Sequence, residues 1–330
     1  MESKKIAVVT GANGFVGSHL VDLLLEKSFI VRCIVRKSSN LKWLEGKNIQ
    51  LFKCGLFDKA GLSVALSGAD YIFHVAGVVK SKTKEGYFKY NVETTKILLE
   101  IAKQNKNTLK RFLVVSSQTV TGPSRGEKPV NEETECKPLT TYGRSKLEQE
   151  KVTLSYKNNF PVTICRGPAI YGERDTEIFI YFQNFARGLS TTIGFDRKLV
   201  SLIHVIDFVN GLYQATISEK AAGEIYFITS EKFYSWDEVN RVTAKVLSRK
   251  AIVIPIPHFI VYTIAAIAQF FSLFLSKAAT LNIEKARDLV QHAWICDPSK
   301  AMRDFGFCQN ISIEEGVERT CEWYKKMKWI

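Results

Sequence analysis

The sequence predicts an α/β fold: a doubly wound parallel sheet followed by a smaller C-terminal domain. Three observations carry this. Short apolar runs alternate with amphipathic helical stretches through the first half of the chain. The runs are apolar throughout rather than at every second residue, as in strands covered on both faces. A glycine cluster separates the first run from the first helix, the context of a dinucleotide-binding turn.

The elements follow in order. Residues 5–9 form the first strand, and 15–27 a helix with Val16, Leu20, Leu23 and Leu24 on one stripe. Residues 29–35, 49–54 and 70–75 read as the next three strands. A helix over 91–106 runs through Val92, Leu98, Leu99 and Ala102. Residues 111–116 are the fifth strand, 142–157 a helix and 162–166 the sixth strand. After Tyr171 the rhythm breaks and aromatics gather at Phe179, Tyr181, Phe182 and Phe185. Residues 203–215 read as one more strand and helix returning to the sheet. The expected division is therefore 1–171, with a return segment near 203–222, and a second domain over 172–330.

Bulk properties narrow the function classes. The 330 residues carry 46 Lys and Arg against 33 Asp and Glu, a formal charge of +13. The basic residues are spread along the chain. A solvated surface, or attraction to an anionic cofactor or lipid surface, fits better than nucleic-acid binding, for which no motif is visible. No signal peptide is expected, so the chain reads as cytoplasmic, with membrane association left open. The seven cysteines include no Cys-x-x-Cys. Cys33, Cys54 and Cys165 lie in apolar runs and read as buried reduced thiols. No His, Cys or carboxylate cluster has metal-ligand spacing, so no metal is predicted. A homodimer is left open as a partner.

One stretch, 258–276, carries no formal charge and is rich in Phe, Ile and Leu. Its length approaches the ~20 residues of a membrane span, but Thr263, Gln269 and Ser272 interrupt it. A buried helix lining an apolar substrate pocket is the favoured expectation. A helix lying on a membrane is the next.

The chemistry is written in two places. The first is Thr10-Gly11-Ala12-Asn13-Gly14-Phe15-Val16-Gly17. Gly11 permits the tight turn, Gly14 lets backbone approach a pyrophosphate, and Gly17 lets the helix sit close on the sheet. The helix N-terminus then faces the anion. The end of the second strand selects the cofactor: an acid there would bind the ribose hydroxyl of NAD, an Arg the 2′-phosphate of NADP. The chain reads Val35-Arg36-Lys37 with no acid, so NADP(H) is favoured and NAD(H) remains the alternative.

The second place is Ser117, followed by Tyr142-x-x-x-Lys146. Tyr142 and Lys146 share one helix face, one turn apart. A free tyrosine has a pKa of ~10. The lysine charge, with that of an oxidised nicotinamide, is expected to lower it. Ser117 would hold the substrate oxygen, and Tyr142 would donate a proton to a ketone during reduction.

With these motifs the chain resembles the extended short-chain dehydrogenases/reductases. That group includes NAD-dependent epimerase/dehydratases and 3β-hydroxysteroid dehydrogenase-like enzymes. The resemblance extends to His74-Val75-Ala76-Gly77, to Asn91-Val92-Glu93-Thr94-Thr95, and to Arg166-Gly167-Pro168-Ala169-Ile170-Tyr171-Gly172. It also takes in Ile203-His204-Val205-Ile206-Asp207 and Gly316-Val317-Glu318-Arg319-Thr320. It implies a Rossmann domain closed by a substrate-binding domain. It implies cofactor contacts from Gly11, Asn13, Gly14, Phe15, Val16, Gly17, Arg36, Ala76, Gly77, Val78, Asn91, Ser116, Tyr142, Lys146, Pro168 and Ile170. Ser117, Thr119 and Tyr142 would meet substrate.

The departures point away from sugar nucleotides. Dehydratases of the group carry Asp-Glu after the serine, where this chain has Gln118-Thr119. Many sugar epimerases carry a diphosphate-clamping Arg where this chain has Val200. A third departure concerns the cofactor: Leu56 stands where an Asp often reads adenine, so that adenine contact is not expected. The expected function is reduction or oxidation of a ketone/alcohol pair on a lipid- or steroid-like molecule, with a 3-keto long-chain base as the specific expectation. A nucleotide-sugar 4-epimerase and a non-catalytic NADP-binding redox sensor are the alternatives.

Overall fold

The computed structural model describes residues 4–274 and 281–330. β1 (Ile6–Thr10) runs through the glycine turn into α1 (Phe15–Glu26) and on to β2 (Ile30–Ile34). β3 (Gln50–Phe52), α2 (Lys59–Leu66) and β4 (Tyr71–His74) follow. After α3 (Lys84–Phe88) the chain makes a π-helical turn, Lys89–Glu93, before α4 (Thr94–Gln104). The expected helix over 91–106 is thus two elements. β5 (Arg111–Ser117), α5 (Thr141–Leu154), β6 (Val162–Gly167) and β7 (Ala169–Tyr171) complete this half.

Next come α6 (Phe179–Ala186), β8 (Leu189–Ile193), β9 (Leu199–His204), α7 (Val205–Ile217) and β10 (Glu224–Phe227). The main sheet has the order β10-β6-β5-β4-β1-β2-β3, and every pairing in it is parallel. Strand order reverses between β1 and β4, so the ligand crevice of such a sheet opens at the C-terminal ends of these two strands.

Both faces of the sheet are covered, which is why its strands are apolar throughout. Successive residues of β1 point to opposite sides. Val9 packs with Leu20, Leu24, Phe208 and Leu212 from α1 and α7, while Val8 packs with Leu62, Leu98, Ile72 and Phe112 across α2 and α4. The return segment differs from expectation. Helix α7 does cover the sheet, but the strand before it, β9, pairs with β7 rather than with the main sheet. The strand that returns is β10, after Gly223 turns the chain at φ +82°. Cys33 and Cys165 are buried, whereas Cys54 falls just past β3 and is only half-buried.

The rest of the chain holds β11 (Phe233–Ser235), α8 (Trp236–Leu247), β12 (Ile252–Ile256), α9 (His258–Ser272) and α10 (Ile283–Leu289). β13 (Ala293–Trp294), α11 (Ser299–Phe305) and α12 (Ile313–Lys326) end it. β9 also carries β11 and β13, and β8 pairs with β12.

One expectation changes here. Helix α9 is not a buried pocket helix. It buries only Val261 and Ala265, one turn apart, against Ala286 of α10, with Tyr262 partly buried beside them. Phe259 is 70% exposed and Phe274 75%, with Ile267, Phe270 and Phe271 also open. Residues 275 and 276 of the uncharged stretch lie outside the described residues. No helix among the described residues is long and apolar enough to cross a membrane. The aromatics at the C-terminal end of the chain are packed inward. Tyr324 is fully buried, stacks on Trp329 and meets Phe179 edge-on. Trp323 packs on Trp43, from the loop beyond β2.

Candidate active site

The glycine turn is built as its spacing requires. Gly11 has φ +68°, and a Cβ there would lie 2.8 Å from the Ala76 nitrogen. A Cβ on Gly17 would lie 2.1 Å from the Gly11 oxygen, so α1 sits as close to the turn as backbone allows. Gly14 donates its N–H to the Gly11 carbonyl at 3.0 Å and is exposed. The Asn13 amide donates to the Asn40 carbonyl at 3.2 Å, tying the turn to the loop after β2. Phe15 and Val16 are half-buried at the start of α1.

Across the crevice, Ala76, Gly77 and Val78 follow β4. Asn91 holds this segment from the π turn: its Oδ1 accepts from the Val78 nitrogen at 2.8 Å and its Nδ2 donates to the Val78 carbonyl and to Ser145. A π turn places one side chain out of helical register, a device common at functional sites. A Cβ on Gly77 would lie 3.9 Å from Lys146 Nζ, so this segment borders the catalytic helix.

A buried row of polar groups joins the glycine turn to Lys146. The Thr10 hydroxyl receives the Ala76 N–H at 3.1 Å and bonds His74 Nδ1 at 2.8 Å. His74 Nε2 meets the Thr95 hydroxyl at 2.9 Å, which donates to the Asn91 carbonyl at 2.6 Å. Gln149 Nε2 also donates to Thr95, and Gln149 Oε1 accepts from Lys146. Because the Thr95 proton goes to Asn91, His74 Nε2 must be the donor of that pair. The imidazole is neutral, which leaves Nδ1 to accept from the Thr10 hydroxyl. Complete burial, aided by the Lys146 charge, pushes its pKa down to about 3.

The reacting groups stand at one end of this row. Lys146 is buried and donates to the Val115 carbonyl at 2.7 Å. Burial lowers its pKa to about 8, against a smaller opposing effect of Glu150. Tyr142 is half-buried beside the Tyr87 ring, with centroids 6.3 Å apart. The protein's own groups hold its pKa above the ordinary tyrosine value. Desolvation pushes it up to about 12, a hydrogen bond with Ser117 works the other way, and Tyr87 and Asp288 push it further up. Lys146 reaches Val115 and Gln149, so the protein's own groups leave Tyr142 firmly protonated.

Ser117 Oγ receives two bonds from Thr119, from its nitrogen at 3.3 Å and its hydroxyl at 3.0 Å. With its lone pairs engaged, the Ser117 proton is free to be donated onward. Thr119, expected at the substrate, thus has its hydroxyl on Ser117 instead. The Ser116 hydroxyl is engaged too: it donates to Glu150 at 2.6 Å, and Glu150 forms a buried bidentate pair with Arg166. Pro168 and Ile170 are half-buried, and Ile170 pairs with Ile203 across β7 and β9.

Arg36 and Lys37 are exposed just beyond β2. Arg32 is not a rival for a cofactor phosphate, since its guanidinium donates to Gln50, Ala65 and Ser67. Asp58 caps α2 by accepting from Gly61 at 3.0 Å. Val200 is packed with Val239, Ile313 and Val317 in an apolar cluster, far from the character of a diphosphate clamp.

Sequence reasoning missed the neighbours contributed by α10. Glu284 accepts from the Thr141 nitrogen at 2.9 Å and from its hydroxyl at 2.7 Å, and Arg144 donates to it at 3.1 Å. No local pattern announces a carboxylate that grips a helix 143 residues away.

Residues 7–229 match the NAD dependent epimerase/dehydratase family. The chain belongs to that family. It is an NAD(P)-dependent oxidoreductase acting on CH–OH groups. Among its relatives is a ceramide reductase of Caulobacter vibrioides, 27% identical over 100% of this chain and 97% of that protein. A sterol-4-alpha-carboxylate 3-dehydrogenase (decarboxylating) of Mus musculus is 26% identical over 99% of this chain and 92% of that protein. Among solved structures, the UDP-glucose 4-epimerase of Thermotoga maritima, with UDP-glucose, has a TM-score of 0.81. It is 20% identical, over 98% of this chain and 99% of that one. That likeness shows the fold.

Proposed function

We propose that this family member is an NADP(H)-dependent reductase of a ketone on an apolar, lipid-like substrate, with a 3-keto long-chain base as the specific candidate. The carrying observation is the apolar face of α9 and β12, open to solvent beside α10, which grips the catalytic helix. Phe259 and Ile252 are each 70% exposed. Each such side chain left in water forgoes ~1.5–3 kcal/mol of burial, and contiguous apolar patches mark interaction surfaces. Arg249 and Lys250 lead into β12, and Lys285 and Arg287 lie on α10, which suits an anionic lipid surface. The full-length relatives named for ceramide and sterol substrates support the reading. The protein is then cytoplasmic with peripheral membrane contact.

The roles follow from the site. The glycine turn, residues 76–78 and the backbone of Ser116, Pro168 and Ile170 bound the cofactor, whose nicotinamide supplies the hydride. Ser117 donates to the substrate oxygen, oriented by Thr119. Tyr142 delivers the proton, and Lys146 holds positive charge beside it. Residues 1–171 with α7 and β10 serve the cofactor, and most of 172–330 serves the substrate.

Two measurements test this. NADPH oxidation followed with an N-acylated 3-keto long-chain base, a ketosteroid and a UDP-sugar should favour the first, with KM falling as the chain lengthens. Weak co-sedimentation with phosphatidylserine vesicles, lost in high salt, should accompany it. Preference for the UDP-sugar would overturn the reading and promote the epimerase. Arg36→Asp should weaken NADPH by about tenfold or more with little effect on NADH, the cost of a charge-assisted contact. An unchanged NADPH/NADH ratio would show that Arg36 does not read the phosphate.

A further inference from the structure

Helix α10 does more than hold the catalytic helix in place. Glu284 is fixed on Thr141, the residue before Tyr142. Asp288 lies four residues on, and so shares that face of α10. Its carbonyl accepts from Trp294 Nε1 at 2.9 Å, which pins the end of the helix. Yet its side-chain Oδ1 is buried with no hydrogen-bond partner. A buried carboxylate oxygen left unpaired is costly and calls for an explanation.

We propose that Asp288 is a specificity residue: its buried oxygen accepts a hydrogen bond from an amide N–H or hydroxyl that the substrate carries next to the carbonyl served by Tyr142. This rests on the reductase reading above and narrows it to ketones bearing a neighbouring donor. The electrostatics agree with the placement. Asp288 acts on both Tyr142 and Tyr87, which lie ring against ring. Burial, opposed by Lys285 and Arg287 and reinforced by Glu284, raises its own pKa to about 6. At neutral pH it is mostly ionised, and so an acceptor. A site built to bond a substrate donor rejects the analogue that lacks it, because the protein group is then left unpaired.

The test compares two ketones of one length. One is an N-acetyl 3-keto C18 base with its 1-hydroxyl; the other is octadecan-3-one, which has neither donor. Wild type should prefer the first by at least about tenfold in kcat/KM. Asp288→Leu should raise KM for the first about tenfold or more and leave octadecan-3-one within about twofold. Asp288→Asn keeps an acceptor and should fall between. Unchanged NADPH binding, read by its fluorescence, certifies each variant. Equal effects on both ketones, or a preference that survives in Asp288→Leu, overturn the assignment of Asp288. Reduction of neither ketone by wild type overturns the reductase reading, and this assignment with it.

Discussion

Tyr142→Phe should lower kcat by at least about a hundredfold while NADPH still binds with its wild-type affinity. Only the hydroxyl is removed, and the ring that packs on Tyr87 stays. General acid catalysis is worth roughly 10²–10⁴. With its pKa pushed up to about 12, Tyr142 is fully protonated at neutral pH, the form a reductase needs. Single-turnover reduction with pre-bound NADPH measures the step directly. A variant retaining more than about a tenth of the wild-type rate would remove Tyr142 from the acid role.

Lys146→Ala should damage both turnover and cofactor affinity, and the wild-type pH profile should show why. The lysine pKa is lowered to about 8 by burial. Its charge is present below that pH and lost above it, so reduction should fall as pH rises through about 8. Stability should move the other way. A lysine whose folded pKa lies below the ordinary ~10.4 lets the unfolded chain bind the extra proton between about 8 and 10.4. Folding is then favoured as pH rises across that window. A rate that falls while the melting temperature holds or rises separates loss of charge from unfolding. A flat rate from pH 7 to 9.5 would take Lys146 out of the mechanism.

The sheet, the glycine turn and the order of Ser117, Tyr142 and Lys146 were legible because each is written locally. Strand and helix periods show over ten residues, and Gly11 and Gly17 mark close backbone approaches that no larger residue could make. What depended on distant pairing was not legible. β9 was read as a strand of the main sheet, because an apolar run says nothing of which edge it joins. The uncharged run of α9 was read as buried, although only two positions of the helix are. The hydroxyl protons of Thr119 and Ser116 go to Ser117 and Glu150, pairings that no local pattern announces. Asp288 carried no signal at all, since its significance comes from Glu284 docking on Thr141.

The buried row from Thr10 through His74, Thr95 and Gln149 to Lys146 also constrains how such a chain can vary. Each member before Lys146 is donor to one neighbour and acceptor from another, and Lys146 donates at the end of the row, so a change at one leaves a defined orphan at the next. Two replacements within the row should therefore be strongly epistatic, with the second costing far less than it would alone. Drift at these positions would have to proceed in linked steps. The glycine turn and the catalytic lysine, 136 residues apart by the numbering of Thr10 and Lys146, are in that sense one heritable unit.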